Sequence, residues 1–383
     1  MAVKQISIEG SIAKGFERVR DQFAANFERP EPYRDVGASL AVYRRGKRVV
    51  DLWGGWRDVE QKRPWKRDTL VNVYSTTKGV VATALAMAVD AGKLRYEDRV
   101  AKHWPDFAAA GKADITVAQL ISHQAGLPGF IAPTTVQDLY DWTGCCAKLA
   151  AQAPAWKPGE QTSYHACTYG WLAGEVFRRA MGESIGRFIA KKIAAPLGAD
   201  VYLGLPASED GRVAPMIAPA VEPDLAAMSL PPVALMAMSN PVIAPADANT
   251  PAWRRAELPA MNLHGTADGI ARVFGALANG GELKGKRLLS RNSIERMCEV
   301  QSRRKDLLLG FELDWAMGLA LNTTGALGPN PRTFGHTGWG GSFCLADPDT
   351  SVGAAYTLNR MGADLIGDPR GVELARTIFE CSR

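Results

Sequence analysis

The 383-residue sequence has no apolar run long enough to cross a membrane. Its opening stretch, MAVKQISIEGSIAKGF, is too polar for a secretory leader. The expectation is a cytoplasmic protein with reduced thiols and no membrane partner. Histidine is scarce: five residues, scattered, so no metal site is proposed. The six cysteines form no C-x-x-C or zinc spacing. Cys145 and Cys146 are adjacent, and Cys167, Cys298, Cys344 and Cys381 read as small, partly buried side chains. One-signed charge is also lacking, since 45 basic residues face 40 acidic ones. The short runs Arg44-Arg45-Gly46-Lys47-Arg48 and Arg303-Arg304-Lys305 read as solvated turns, which argues against a nucleic-acid partner. No internal repeat or low-complexity tract is present, and no motif asks for a cofactor.

What is present is an ordinary globular composition, 46% hydrophobic and 22% charged, sufficient for a large core without staples. Ile12, Phe16, Val19, Phe23 and Phe27 recur at helical spacing up to Pro30 and Pro32. ASLAVYRRGKRVVDLWGG predicts two strands, Ala38 to Tyr43 and Arg48 to Trp53, around an Arg45-Gly46 turn. After Ser75 the period becomes helical, with Val80, Val81, Ala84, Leu85 and Ala88 on one face and Gly92 as the stop. Helices and loops follow to about Asn279, including a long, Ala-, Pro- and Met-rich segment over 205–259 that reads equally as a lid or pocket wall and as an ordered surface excursion. GSFCLADPDTSVGAAYTLN predicts a hairpin turning at Asp347-Pro348-Asp349-Thr350, and a last helix carries Val372, Leu374, Ala375, Ile378 and Phe379. The fold class expected is α/β (α+β): an antiparallel sheet built from both chain ends, flanked by helices, with an inserted, mostly helical subdomain.

Ser75-Thr76-Thr77-Lys78 places a serine one helical turn before a lysine. A serine hydroxyl needs a base to become a nucleophile, and an amine at i+3 can reach it. The four-residue pattern alone is weak. Two more stretches add to it: GEQTSYHACTYGW, with Tyr164 before a helix, and TFGHTGWGGSF, with His336-Thr337-Gly338 at the start of a strand. Read alone, Tyr164 is an ordinary half-buried tyrosine, Trp339 a sheet-edge packer, and His123 and His165 loop-bonding side chains. His103 and His264 have no partner spacing.

Taken in order, these motifs resemble the serine β-lactamase and penicillin-binding protein superfamily, in particular class C β-lactamases and family VIII carboxylesterases. Ser75–Lys78 matches S-x-x-K, Tyr164-His165-Ala166 stands where Y-x-N is found, and His336-Thr337-Gly338 where K-T-G is found, followed by Trp339-Gly340-Gly341 as in the esterase branch. LISHQAGLPG resembles the family's helix-to-loop segment. The resemblance implies one β-lactamase-like catalytic unit over 1–383, with a sheet subregion over 1–80 and 280–383 and a helical one over 81–279. It implies Ser75 as acylated nucleophile, Lys78 and Tyr164 as the proton-transfer pair, with either as the formal base, and the N–H groups of Ser75 and Trp339 as the oxyanion hole. His336 and Gly338 would border the substrate.

Ala166 in place of asparagine and a half-charged His336 in place of lysine point away from β-lactams and toward neutral esters. The expected activity is a serine carboxylesterase acting on small esters with water, without cofactor. The alternatives are a β-lactamase, a D-amino-acid peptidase or amide hydrolase, an acyltransferase, and a silent acyl-ligand-binding or assembly protein. Oligomeric state is left open.

Overall fold

The computed structural model describes residues 6–220 and 231–382. Nine strands form one antiparallel sheet: β1 (Ile8–Ile12), β2 (Gly37–Arg44), β3 (Lys47–Gly55), β4 (Ser302–Lys305), β5 (Glu312–Trp315), β6 (Ala320–Leu321), β7 (Phe334–Thr337), β8 (Phe343–Asp347) and β9 (Val352–Leu358). Their spatial order is β1-β3-β2-β9-β8-β7-β6-β5-β4. The two chain ends meet where β2 pairs with β9, Val352 opposite Arg44 through Leu358 opposite Ala38. Both strands are almost wholly buried, because helices cover both faces of the sheet here.

The larger helices are α1 (Glu17–Ala25), α2 (Thr77–Asp90), α3 (Trp142–Ala151), α4 (Tyr169–Met181), α5 (Pro232–Ser239), α6 (Ala267–Ala278) and α7 (Pro369–Cys381). On one face α1 and α7 seal a core of Phe16, Val19, Phe23, Leu374, Ile378 and Phe379 against the sheet. On the other, α6 packs over β2 and β9, and α2 runs beside it into the helical part of the chain. The mixed α/β architecture is the one expected from the sequence.

Three local expectations change. Ile12 ends strand β1, opposite Val50, instead of opening a helix; the helix starts at Glu17. Ile8, Gly10 and Ile12 do alternate, but five residues are too few for the period to stand out. Helix α2 is buried nearly all round, not on one face, and Lys78 lies inside it. His336-Thr337 closes strand β7 instead of opening one, since the glycines after it break the ladder. The segment over 205–259 carries α5 and short helical turns at Ala207–Arg212, Pro245–Asn249 and Pro251–Arg255, and its residues 221–230 lie outside the described ones.

Candidate active site

Ser75 sits in a single 3-10 turn, Tyr74–Thr76, that leads directly into α2. Tyr74 before it holds φ at +42°, a left-handed conformation that costs a bulky residue energy. The turn is tied down from the sheet. Ser342 donates its hydroxyl to Val73 O at 2.9 Å, so the 2.9 Å bond between Ser342 and Thr76 has Thr76 as donor. Gly338 is required at this junction: a Cβ there would lie 2.3 Å from both Val73 O and Ser342 Oγ. The strand end carrying Trp339 is therefore pressed against the Ser75 turn.

Lys78 is fully buried, with Nζ 3.2 Å from Ser75 Oγ. It donates to Ala166 O at 2.8 Å and Ala260 O at 3.0 Å. Burial pushes its pKa down to about 7. Two carbonyl oxygens, which can only accept, fix two N–H bonds. In the neutral amine the lone pair is then left for the Ser75 hydroxyl proton.

Tyr164 is buried beside this pair, its ring face 4.7 Å from Lys78 Nζ. Burial raises its pKa, and the neighbouring Ser75 hydroxyl opposes that rise. Its ring stacks on Trp315 at 5.4 Å and 7°. Asp306 fixes both partners, accepting from Tyr164 N at 3.1 Å and from Trp315 Nε1 at 3.1 Å. His123 stands edge-on to the Tyr164 ring at 5.0 Å, and accepts on Nδ1 from His165 N at 3.1 Å. His165 is fully engaged, between Ser163 O at 2.6 Å and Leu127 N at 3.1 Å. His264 bonds Asn262 O and His103 bonds Asp98, both away from Ser75.

His336 is brought near Tyr164, rings 5.8 Å apart, but not as a half-charged group. Burial and then the Lys78 charge push its pKa down to about 3, against a stabilising bond to Thr337 O. That bond, 2.7 Å from Nδ1, makes Nδ1 the protonated nitrogen. His336 is thus a neutral imidazole, and the expected partial charge for a substrate carboxylate is absent. A lysine can extend past such a wall; an imidazole ending in the core cannot.

A cavity of about 260 Å³ opens beside Ser75. Tyr74, Tyr164, Ala166, Cys167 and Trp339 line its base, and Ala237, Met238 and Pro241–Pro245 form a wall. Among the described lining residues there is no Lys, Arg, Asp or Glu. Trp339 packs edge-on to Tyr74 at 5.2 Å. The structure thus gathers Ser75, Lys78, Tyr164, Gly338 and Trp339, with His336 behind them. Sequence reading missed His123, Asp306 and Trp315 as supports of Tyr164. The histidine of LISHQAGLPG was the available signal; Asp306 and Trp315 carried none, because they arrive from distant strands.

The chain is similar in sequence and fold to several known proteins. Residues 24–377 match the Beta-lactamase family. LipL of Mycobacterium tuberculosis, an esterase/β-lactamase by name, is 37% identical over 86% of this chain and 78% of its own. A crystal structure of a family VIII carboxylesterase is 47% identical, covers 98% of this chain and 100% of its own, and superposes with a TM-score of 0.92. A penicillin-binding protein homologue from Caulobacter crescentus is 41% identical over 98% of this chain and 100% of its own, with a TM-score of 0.93. With the family matched over almost its whole length, the chain belongs to the Beta-lactamase family.

Proposed function

We propose that this protein is a serine carboxylesterase in which Ser75 carries the acyl group, Lys78 is the base and Tyr164 the acid. One observation carries the assignment: a buried lysine with a pKa near 7 and two N–H bonds fixed on carbonyls lies 3.2 Å from the serine oxygen. The relatives named for ester hydrolysis support the reaction class.

Neutral Lys78 takes the Ser75 proton as Oγ bonds to the ester carbonyl carbon. The carbonyl oxygen becomes an oxyanion held by the N–H groups of Ser75 and Trp339. As the C–O bond to the alcohol breaks, the Tyr164 phenol, kept protonated by burial, donates its proton to the leaving alkoxide. The proton on Lys78 then restores Tyr164. Water repeats the sequence on the acyl-enzyme and releases the acid. The Tyr164 ring face near Nζ favours the lysine's transient charge.

The substrate is a small neutral ester. Among the described residues, none that lines the cavity of about 260 Å³ beside Ser75 is cationic. Ala166 lines the cavity and offers it no side-chain donor. All six cysteines are free, which fits a cytoplasmic location. Among the described residues no helix is long and apolar enough to cross a membrane.

The test is p-nitrophenyl butyrate hydrolysis with a phosphonate inhibitor. One phosphonyl adduct on the Ser75 peptide, and loss of turnover in Ser75→Ala with unchanged circular dichroism, is the expected result. An adduct on Ser122, Ser163 or Ser342 would sink the assignment.

A further inference from the structure

Arg370 is fully buried at the start of α7, more than 330 residues downstream of one of its partners, Asp35. All five of its N–H donors are engaged. Nε and Nη2 form a fork on Asp368, at 2.9 and 2.7 Å. Nη1 reaches Asp35 at 2.9 Å and Arg360 O at 2.9 Å. The remaining Nη2 bond, 2.8 Å, goes to Gly340 O. Asp35 is in turn bonded by the Tyr356 hydroxyl. Asp368 already caps α7 through its bond to Arg370 N, so the helix start is satisfied without the guanidinium. The guanidinium instead extends to the main chain that follows Trp339.

That main chain is held on both sides of Trp339. Before it, Gly338 N donates to Ser342 O at 2.7 Å, and Ser342 is bonded to the Ser75 turn. After it, Gly340 N donates to Asp364 O at 3.3 Å, and Gly340 O accepts from Gly362 N at 3.0 Å as well as from Arg370. Gly341, at φ +117°, lies so close that a Cβ would stand 2.7 Å from Asp368 Oδ2 and 2.9 Å from Arg370 Nη2.

We propose that Arg370, locked between Asp35 and Asp368, is a positioning residue that fixes the Gly340–Gly341 peptide, two links after the one that carries the Trp339 N–H, and through this short turn aims that N–H at the oxyanion. This rests on the reading of Ser75 and Trp339 given above. An oxyanion hole works because its donors do not reorganise during the reaction. A turn of three residues, two of them glycine, has little stiffness of its own. The buried ion pair supplies that stiffness from outside the cavity. A lysine at 370 would keep the charge but lose the planar fork that reaches Asp35, Asp368 and Gly340 together.

Arg370→Met, Arg370→Lys and Asp368→Asn would be compared with the unmodified enzyme on p-nitrophenyl butyrate. Active sites are counted by phosphonate titration, so that kcat refers to folded sites. Expected is a loss of about tenfold to a hundredfold in kcat per titrated site for Arg370→Met, below the roughly 10²–10³ of losing a donor outright. Arg370→Lys should lose less, KM should stay within about threefold, and the phosphonylation rate should fall in parallel. If Arg370→Met does not fold, the other two variants decide by the same readouts. A per-site kcat within about twofold of the unmodified enzyme in the folded variants, or a loss confined to KM or to Tm, overturns the proposal. Failure of the unmodified enzyme to hydrolyse the ester, or labelling away from Ser75, would overturn the esterase reading instead.

Discussion

Lys78 links burial to a pH profile. As the proposed base it acts only when neutral, and its pKa is pushed down to about 7. kcat/KM should therefore rise as pH increases through about 7 and then level off. Neutral His336, pushed down to about 3, adds no step between about pH 5 and 8. Lys78→Arg keeps a permanent charge and should lose at least ~10³-fold, measured as initial rate at pH 8. The same shift affects stability. Between about pH 7 and the unfolded value near 10.4 the unfolded chain holds a proton that the folded one does not. Stability rises with pH across that window. Lys78→Met should remove this part of the slope in a series of Tm values. Tyr164→Phe and Lys78→Ala should each abolish most turnover, and the double variant should be little worse. Additive losses would mean that the two serve separate steps.

Among the elements, the cavity wall from Ala237 to Pro245 is the one whose change should alter selectivity without disabling the chemistry. Met238→Trp should fill the cavity, cutting p-nitrophenyl octanoate hydrolysis at least tenfold while acetate stays within about threefold. An unchanged chain-length profile would show that this wall does not meet the acyl group. The composition of 205–259 pointed to a wall, but its short helical turns were illegible, because Pro and Ala runs there have no period. The β2–β3 hairpin and the β8–β9 hairpin were legible from alternation and turn residues. So was α2, but not its depth: one apolar face was expected, and Thr77, Lys78 and Thr83 are buried as well. Ser75, Lys78 and Tyr164 were found by spacing and resemblance. Their supports were not, since Asp306 and Trp315 reach Tyr164 only through tertiary packing.

For the whole molecule, a preference for esters over lactams is expected from what faces the cavity. A β-lactam needs a donor for its side-chain carbonyl and a cation for its carboxylate. Ala166 gives no side-chain donor, and His336 is neutral and buried. Each missing contact is worth about 1–3 kcal/mol. Two such losses give a deficit of roughly a hundredfold or more in kcat/KM, at ~1.4 kcal/mol per decade. A chromogenic cephalosporin measured beside p-nitrophenyl butyrate checks this, and Ala166→Asn should narrow the gap. Faster turnover of the cephalosporin would reverse the conclusion.

The seam between β2 and β9 also sets a timetable. A ribosome delivers β2, Ser75 and Lys78 early, but β9, the partner of β2, and the Arg370 clamp come from the last tenth or so of the described chain. Until β9 arrives, β2 presents a long, apolar, unpaired edge, the kind of surface that chaperones bind and that aggregates when left bare. Catalytic competence should therefore appear abruptly, once β9 has been made. Chains arrested before Val352 should be esterase-silent and chaperone-bound, although Ser75, Lys78, Tyr164 and Trp339 have already been made.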